Sequence, residues 1–237
     1  MTQLLIEDTI GAVRVLTLNR PDKRNALNTP LHDAMLGAFG RADADPGVRC
    51  VLLAGNGKSF CAGADLDEHR ASSSLSAGQS RARIEQMARL QMAVSHLGKP
   101  VLAAVHGTVL GAGAGLAISA DITVMADDAR IGYPEVPHGM VPTLMFPTLV
   151  RQVGRRAAFE LLFLGEFIGA QRALALGLVN ESVPAAGLMP RALAIAARFE
   201  GMDPGTLRAA KKLFYGMADL PLREGMRAGV EATLEAV

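Results

Sequence analysis

Apolar and polar residues come in short blocks over about the first 140 positions, and those blocks predict a mixed α/β core. Residues 3–7 and 12–19 alternate or run apolar on either side of a turn-like stretch at 8–11, which predicts a β-hairpin. Arg20 to Asn25 is a charged loop. Thr29-Pro30 predicts a helix N-cap with proline at the first helical position. Leu31, Met35 and Phe39, with Ala34 and Ala38, form one apolar helix face that ends near Asp45-Pro46. Residues 48–54 are a nearly continuous apolar run, the mark of a strand buried on both faces. Residues 71–80, rich in Ser, Ala and Gly, predict a mobile link. Residues 81–97 keep a helical period through Ile84, Met87 and Ala88. Runs at 101–105 and 122–126 predict two more buried strands around a helix at 112–120, and Ile131 opens a fourth strand.

After Pro142 the pattern turns helical, with segments at 144–151, 155–164, 170–176, 190–199 and 206–217. Only 178–183 reads as strand there. We therefore expect a core over residues 1–185 and a C-terminal helical region over 186–237.

Composition narrows the function classes. The 237 residues carry 24 basic and 23 acidic side chains, a formal net charge of +1, so no global field favours nucleic acid or an anionic membrane. With no Trp and two Tyr, an aromatic platform for bases is missing as well. Cys50 and Cys61 fit neither a disulfide framework nor a zinc pattern, and the five His are scattered, so no metal site is expected. The cysteines suit a reducing cytoplasm, and the N-terminal sequence lacks the basic region of a secretory signal. Residues 101–120 hold no charge and have the length of a membrane span, but Pro100 and His106-Gly107 argue for strand, turn and helix. No membrane partner is expected.

The chemistry concentrates in two glycine-rich turns. One is Phe60-Cys61-Ala62-Gly63-Ala64-Asp65-Leu66, after a core strand. The other runs from His106 through Gly107, Gly111 and Gly113 to Gly115, between a strand and a helix. Small residues let a ligand approach the backbone. A helix start offers free N–H groups and partial positive charge. Two such donors on one carbonyl oxygen make an oxyanion hole, each worth about 3 kcal/mol in a transition state. Other glycine motifs fail: Leu52 stands where a P-loop needs its first Gly, and Leu116 where a dinucleotide fingerprint needs its third.

Asn19-Arg20-Pro21 with Asn25-Ala26-Leu27-Asn28, then 60–66, then 106–121, then Gly132-Tyr133-Pro134-Glu135, resemble in order and spacing the enoyl-CoA hydratase/isomerase (crotonase) superfamily. The resemblance covers about residues 5–215 and implies a crotonase-like spiral of β-β-α turns with a helical C-terminal region. It also implies assembly as a homotrimer or dimer of trimers, a coenzyme A thioester as substrate and no permanently bound cofactor. Relatives of usual length carry a further helix pair after the segment that matches 220–237.

Position by position, the resemblance makes the backbone N–H groups of Ala64 and Ala112 the oxyanion donors. It places Lys23, Arg24 and Ala26 beside the CoA nucleotide, and Ala62, Asp65 and Leu66 along its adenine and pantetheine end, with Gly111 bordering the substrate. Glu135 matches one of the family's two acid–base glutamates; the other falls on Gly115, which has no side chain. One carboxylate still suffices for a 1,3-proton shift, as in the family's single-glutamate Δ3,Δ2-enoyl-CoA isomerases. Met140, Val136 and Leu144 are expected to wall Glu135 and raise its pKa. His138 is a candidate second acid–base group. Asp67, Glu68 and His69 are expected to face solvent, and Asp121 to be a structural cap. An enoyl-CoA isomerase is thus the leading expectation. A hydratase or other enolate enzyme using water or His138, and a non-catalytic acyl-CoA-binding subunit, stay open.

Overall fold

A computed structural model describes residues 3–235. The chain opens with the hairpin β1 (Leu5–Ile10) and β2 (Val13–Leu18). Strand β1 reaches Ile10 and Asp8 pairs with Val15, so the turn tightens around Gly11 at φ +56° instead of spanning 8–11. Helix α1 (Thr29–Ala44) is capped by Asn28, whose side chain accepts from Leu31 N–H at 3.1 Å, with Thr29 and Pro30 already inside the first turn. The cap thus lies one residue before the expected one; an Asn oxygen reaches the third N–H as readily as a Thr hydroxyl.

Strand β3 (Cys50–Gly55) is followed by the first glycine-rich turn, α2 (Leu66–Ala71) and α3 (Ala77–His96). The stretch expected to be mobile is instead the end of α2, a short 3-10 turn and the first turn of α3. The serines explain the difference. Ser72, Ser73 and Ser74 donate to carbonyls three residues back, and Ser76 with Gln79 forms a reciprocal capping box on α3.

Next come β4 (Val101–Val105), β5 (Thr108–Leu110), α4 (Gly111–Ile118), β6 (Ile122–Ala126) and β7 (Arg130–Gly132). Then follow α5 (Met145–Leu164), β8 (Ile168–Gly169), α6 (Ala170–Ala175), β9 (Glu181–Val183), α7 (Leu188–Ala196), α8 (Pro204–Ala218) and α9 (Leu222–Glu235). Helix α5 breaks at Gly154, at φ +74°, which accounts for the two separate helical patterns in its sequence.

Six strands form one sheet in the order β1-β2-β3-β4-β6-β9, parallel beyond the hairpin. A smaller sheet, β5-β7-β8, is extended by the bridge between Cys61 and Val109. A long strand, a short strand and a helix thus recur as a spiral, and the short strands aim the following turns at one cavity. Helix α7 packs on β3, β4 and β6, and Leu188, Ala192, Ile195 and Ala196 join the same hydrophobic core as Leu16, Leu52 and Leu102.

Asp121 is structural, but it caps no helix. It accepts from Val101 N–H and Lys211 Nζ, both at 2.6 Å, and from the Tyr215 hydroxyl at 2.6 Å, so it ties β4 to α8. Among the described residues no helix is long and apolar enough to cross a membrane.

Candidate active site

The loop before α1 lies alongside the first glycine-rich turn. Leu27 N–H donates to Gly63 O at 2.8 Å, Asp65 N–H to Leu27 O at 2.9 Å and Ala62 N–H to Arg24 O at 2.9 Å. The second turn closes on the first: Leu110 N–H donates to Cys61 O at 3.0 Å. A Cβ at Gly113 would sit 2.6 Å from Cys61 O, so only glycine allows α4 this close. Gly63, at φ +91°, has the Ala112 nitrogen 3.6 Å from the point where its own Cβ would stand. The two turns therefore bring Ala64 and Ala112 to one cavity of about 300 Å³, and Glu135 lines it too. Ala112 occupies the first turn of α4, where helix geometry provides no acceptor. Among the described residues neither the Ala64 nor the Ala112 N–H donates to a protein acceptor.

Glu135 is fixed by its own carbonyl, which accepts from His138 N–H at 3.0 Å and Met140 N–H at 2.9 Å. Its carboxylate lies over Gly111, whose φ is +47°, and a Cβ at that position would overlap Oε1. Oε2 is buried without a hydrogen-bond partner. Burial pushes the Glu135 pKa above the usual carboxylate range. A carboxyl poised this way holds its proton more tightly than an exposed Glu, which suits it both to take and to return one.

Opposite, the position of the missing glutamate is filled. A Cβ on Gly115 would meet Met145 Sδ at 2.6 Å and Gln91 Nε2 at 3.4 Å. Met140, Val141, Leu144, Leu75, Ile84 and Met87 complete apolar walls, with Gln91, Arg83 and His69 as polar members. Val136 is absent from the lining, and so is His138, which is exposed. Its Nδ1 lies 2.6 Å from Pro134 O, which holds the ring against its own loop. His69 is exposed, as expected, and also borders the cavity. Glu68 turns back to accept from Thr29 N–H and to pair with Arg83. Asp67 is exposed as expected.

The residues expected along the nucleotide fall in one strip outside this cavity. Lys23 is exposed and paired with Asp67 at 2.9 Å, Arg24 and Leu66 are exposed, and Ala26 is buried. Asp65 bonds Arg20 at 2.8 Å and caps α2, so its carboxylate is already engaged. Sequence reasoning missed Gln91, Met145 and Arg83. The signal was present on α3: Ser80, Arg83, Ile84, Met87 and Gln91 share one helix face, and two long polar side chains interrupt its apolar members.

A spiral of short parallel strands whose glycine turns converge free amides and one carboxyl defines an acyl-thioester enzyme fold. The family model described as enoyl-CoA hydratase/isomerase matches residues 8–234, and the chain belongs to that family. A Thermus thermophilus relative named as an enoyl-CoA hydratase is 40% identical over 217 residues, covering 92% of this chain and 86% of its own. The 2,3-dehydroadipyl-CoA hydratase of Escherichia coli is 36% identical over 215 residues, covering 90% and 82%. The solved enoyl-CoA hydratase of Mycobacterium smegmatis superposes with a TM-score of 0.92 at 34% identity, over 98% of this chain and 90% of that one.

Proposed function

We propose that this protein is an enoyl-CoA double-bond isomerase that moves a 3,4 double bond to the 2,3 position. Ala64 and Ala112 N–H groups bind the thioester oxygen. Glu135 removes a proton from the carbon next to the thioester, the amides hold the dienolate, and the same carboxyl returns the proton two carbons away. The observation that carries this reading is that Met145 Sδ lies 2.6 Å from where a Cβ of residue 115 would stand, which gives the second acid–base position to a thioether. Water addition across a 2-enoyl-CoA needs a second group to direct the water, and a thioether cannot do that. The strip from Lys23 to Ala26 and from Ala62 to Leu66 would carry the CoA nucleotide.

A hydratase is the second reading, favoured by the names of the relatives. With His138 turned outward, it would take its second proton from a water that Gln91 positions. Separate incubation with 2-enoyl-CoA and 3-enoyl-CoA, with products identified by mass and double-bond position, decides between them. We expect 2-enoyl-CoA from the 3-enoyl substrate and little 3-hydroxyacyl-CoA. Rapid hydration of 2-enoyl-CoA would overturn the isomerase.

We also propose a homotrimer or dimer of trimers acting in the cytoplasm. Exposed Phe159, Phe163, Leu222, Met226 and Val230 on α5 and α9 give apolar surface for subunit contact. Sedimentation tests this; a monomer at micromolar concentration contradicts it.

A further inference from the structure

Arg83 stands on the cavity face of α3, eight residues before Gln91. At the helix rise that is about 12 Å along the axis, and Gln91 borders Gly115. Arg83 thus lies towards the end of the cavity away from α4. Its side chain is only 16% exposed. Its one charged partner is Glu68, at 3.5 Å, and among the described residues the guanidinium donates to no acceptor within a normal hydrogen bond. Glu68 is itself shared, since both its oxygens accept from Thr29 N–H at 3.0 and 3.1 Å. A guanidinium presents five N–H donors in a planar fork, and holding one beside apolar walls costs free energy unless acceptors reach it. The neighbouring walls are Ile84, Met87 and Leu75, with the Ser80 hydroxyl beside them. A mostly apolar cavity with a cation towards one end matches an acyl chain that is apolar along its length and anionic at its tip.

We infer that Arg83 is a specificity residue that reads a carboxylate at the distal end of the acyl chain, so the preferred substrates are ω-carboxyacyl-CoA thioesters. The planar, two-oxygen carboxylate is the group that a guanidinium fork binds best. The inference rests on the acyl-CoA reading of the cavity. It adds what the chain carries at its far end.

Binding of unreactive, saturated thioesters tests it without requiring turnover. Calorimetry would compare a six-carbon ω-carboxyacyl-CoA and a six-carbon fatty acyl-CoA on the full chain, then repeat the pair with carboxyl chains of four to ten carbons. We expect the best-fitting carboxyl ligand to bind about 10- to 100-fold more tightly than its methyl-ended counterpart, the scale of a charged hydrogen-bonded pair. In Arg83→Met that affinity ratio should fall to near one, and in Arg83→Lys it should stay above one. Thermal melting of both variants separates loss of recognition from loss of fold. Equal wild-type affinities at every length, or a ratio unchanged in Arg83→Met, would overturn the inference and leave the acyl-CoA reading standing. Failure of every thioester to bind would overturn both.

Discussion

The two walls of the cavity that flank α4 are built alike and end differently. On one, Gly111 clears space and Glu135 fills it with a carboxyl of which one oxygen is buried without a partner. On the other, Gly115 clears space and Met145 fills it with a sulfur that carries no transferable proton. Each wall needs a glycine for the same steric reason, so glycine alone does not reveal which wall is chemical. The difference lies in what comes in from β7 or α5. A carboxyl buried with one oxygen unpartnered has its pKa raised by burial, and so holds its proton more tightly than an exposed Glu. A thioether in the same volume only excludes water.

The largest effect should come from breaking the chemical wall. Glu135→Gln is expected to leave acyl-CoA affinity within a few-fold and to lower turnover of 3-enoyl-CoA at least about 100-fold. Steady-state kinetics beside calorimetry checks this. Near-normal turnover would remove Glu135 from the mechanism.

Gly111→Ala comes next, because its methyl overlaps the carboxylate and its backbone is left-handed. We expect a loss of about 10-fold or more in kcat, with strain of about 1 kcal/mol or more visible in denaturant melts. Unchanged kcat would show that Glu135 need not rest where it does.

The inert wall is sharpened by trying to convert it. Gly115→Glu alone should destabilise the fold by about 1–3 kcal/mol through overpacking against Met145. Adding Met145→Ala should relieve that clash and raise 3-hydroxyacyl-CoA formation from 2-enoyl-CoA above the wild-type level. If the single and double variants melt alike, Met145 does not guard the position.

The smallest effect is on pH. Glu135 must be ionised to accept a proton, so kcat/KM should rise with pH through its raised pKa and level off above it. The stability sign is opposite. A carboxyl whose folded pKa exceeds the unfolded value adds stability that is fully present below the unfolded pKa and is lost as pH rises through the folded one. Relative to Glu135→Gln, the wild type should therefore melt lower at neutral pH than at acid pH. Parallel melting curves would contradict the raised pKa.

Much of this was legible in the residues. The buried strands at 101–105 and 122–126 are uninterrupted apolar runs, and a run of that kind has few alternatives. The two glycine turns and Glu135 were legible as motifs. Three things were not. The β5-β7-β8 sheet consists of two- and three-residue strands, too short for any alternation to show. The serines at 72–76 read as a linker because composition does not reveal that each hydroxyl has a carbonyl or amide in reach. Met145 and Arg83 reach the cavity from helices, 33 residues after and 29 residues before Ala112, and proximity of that kind is a product of the fold. His138 shows the converse: three residues from Glu135 in sequence, it is turned outward by the loop that Gly139 closes at φ +75°.

The central claim is that one carboxyl moves protons at the carbon beside a thioester whose oxygen rests on two amides. Its most direct test is exchange of that carbon's protons for deuterium in a saturated acyl-CoA in D2O, followed by NMR. Enzyme-catalysed exchange in the wild type, slowed at least about 100-fold in Glu135→Gln while the thioester still binds, is the predicted result. Exchange in the variant at the wild-type rate, or no exchange in either, would contradict it.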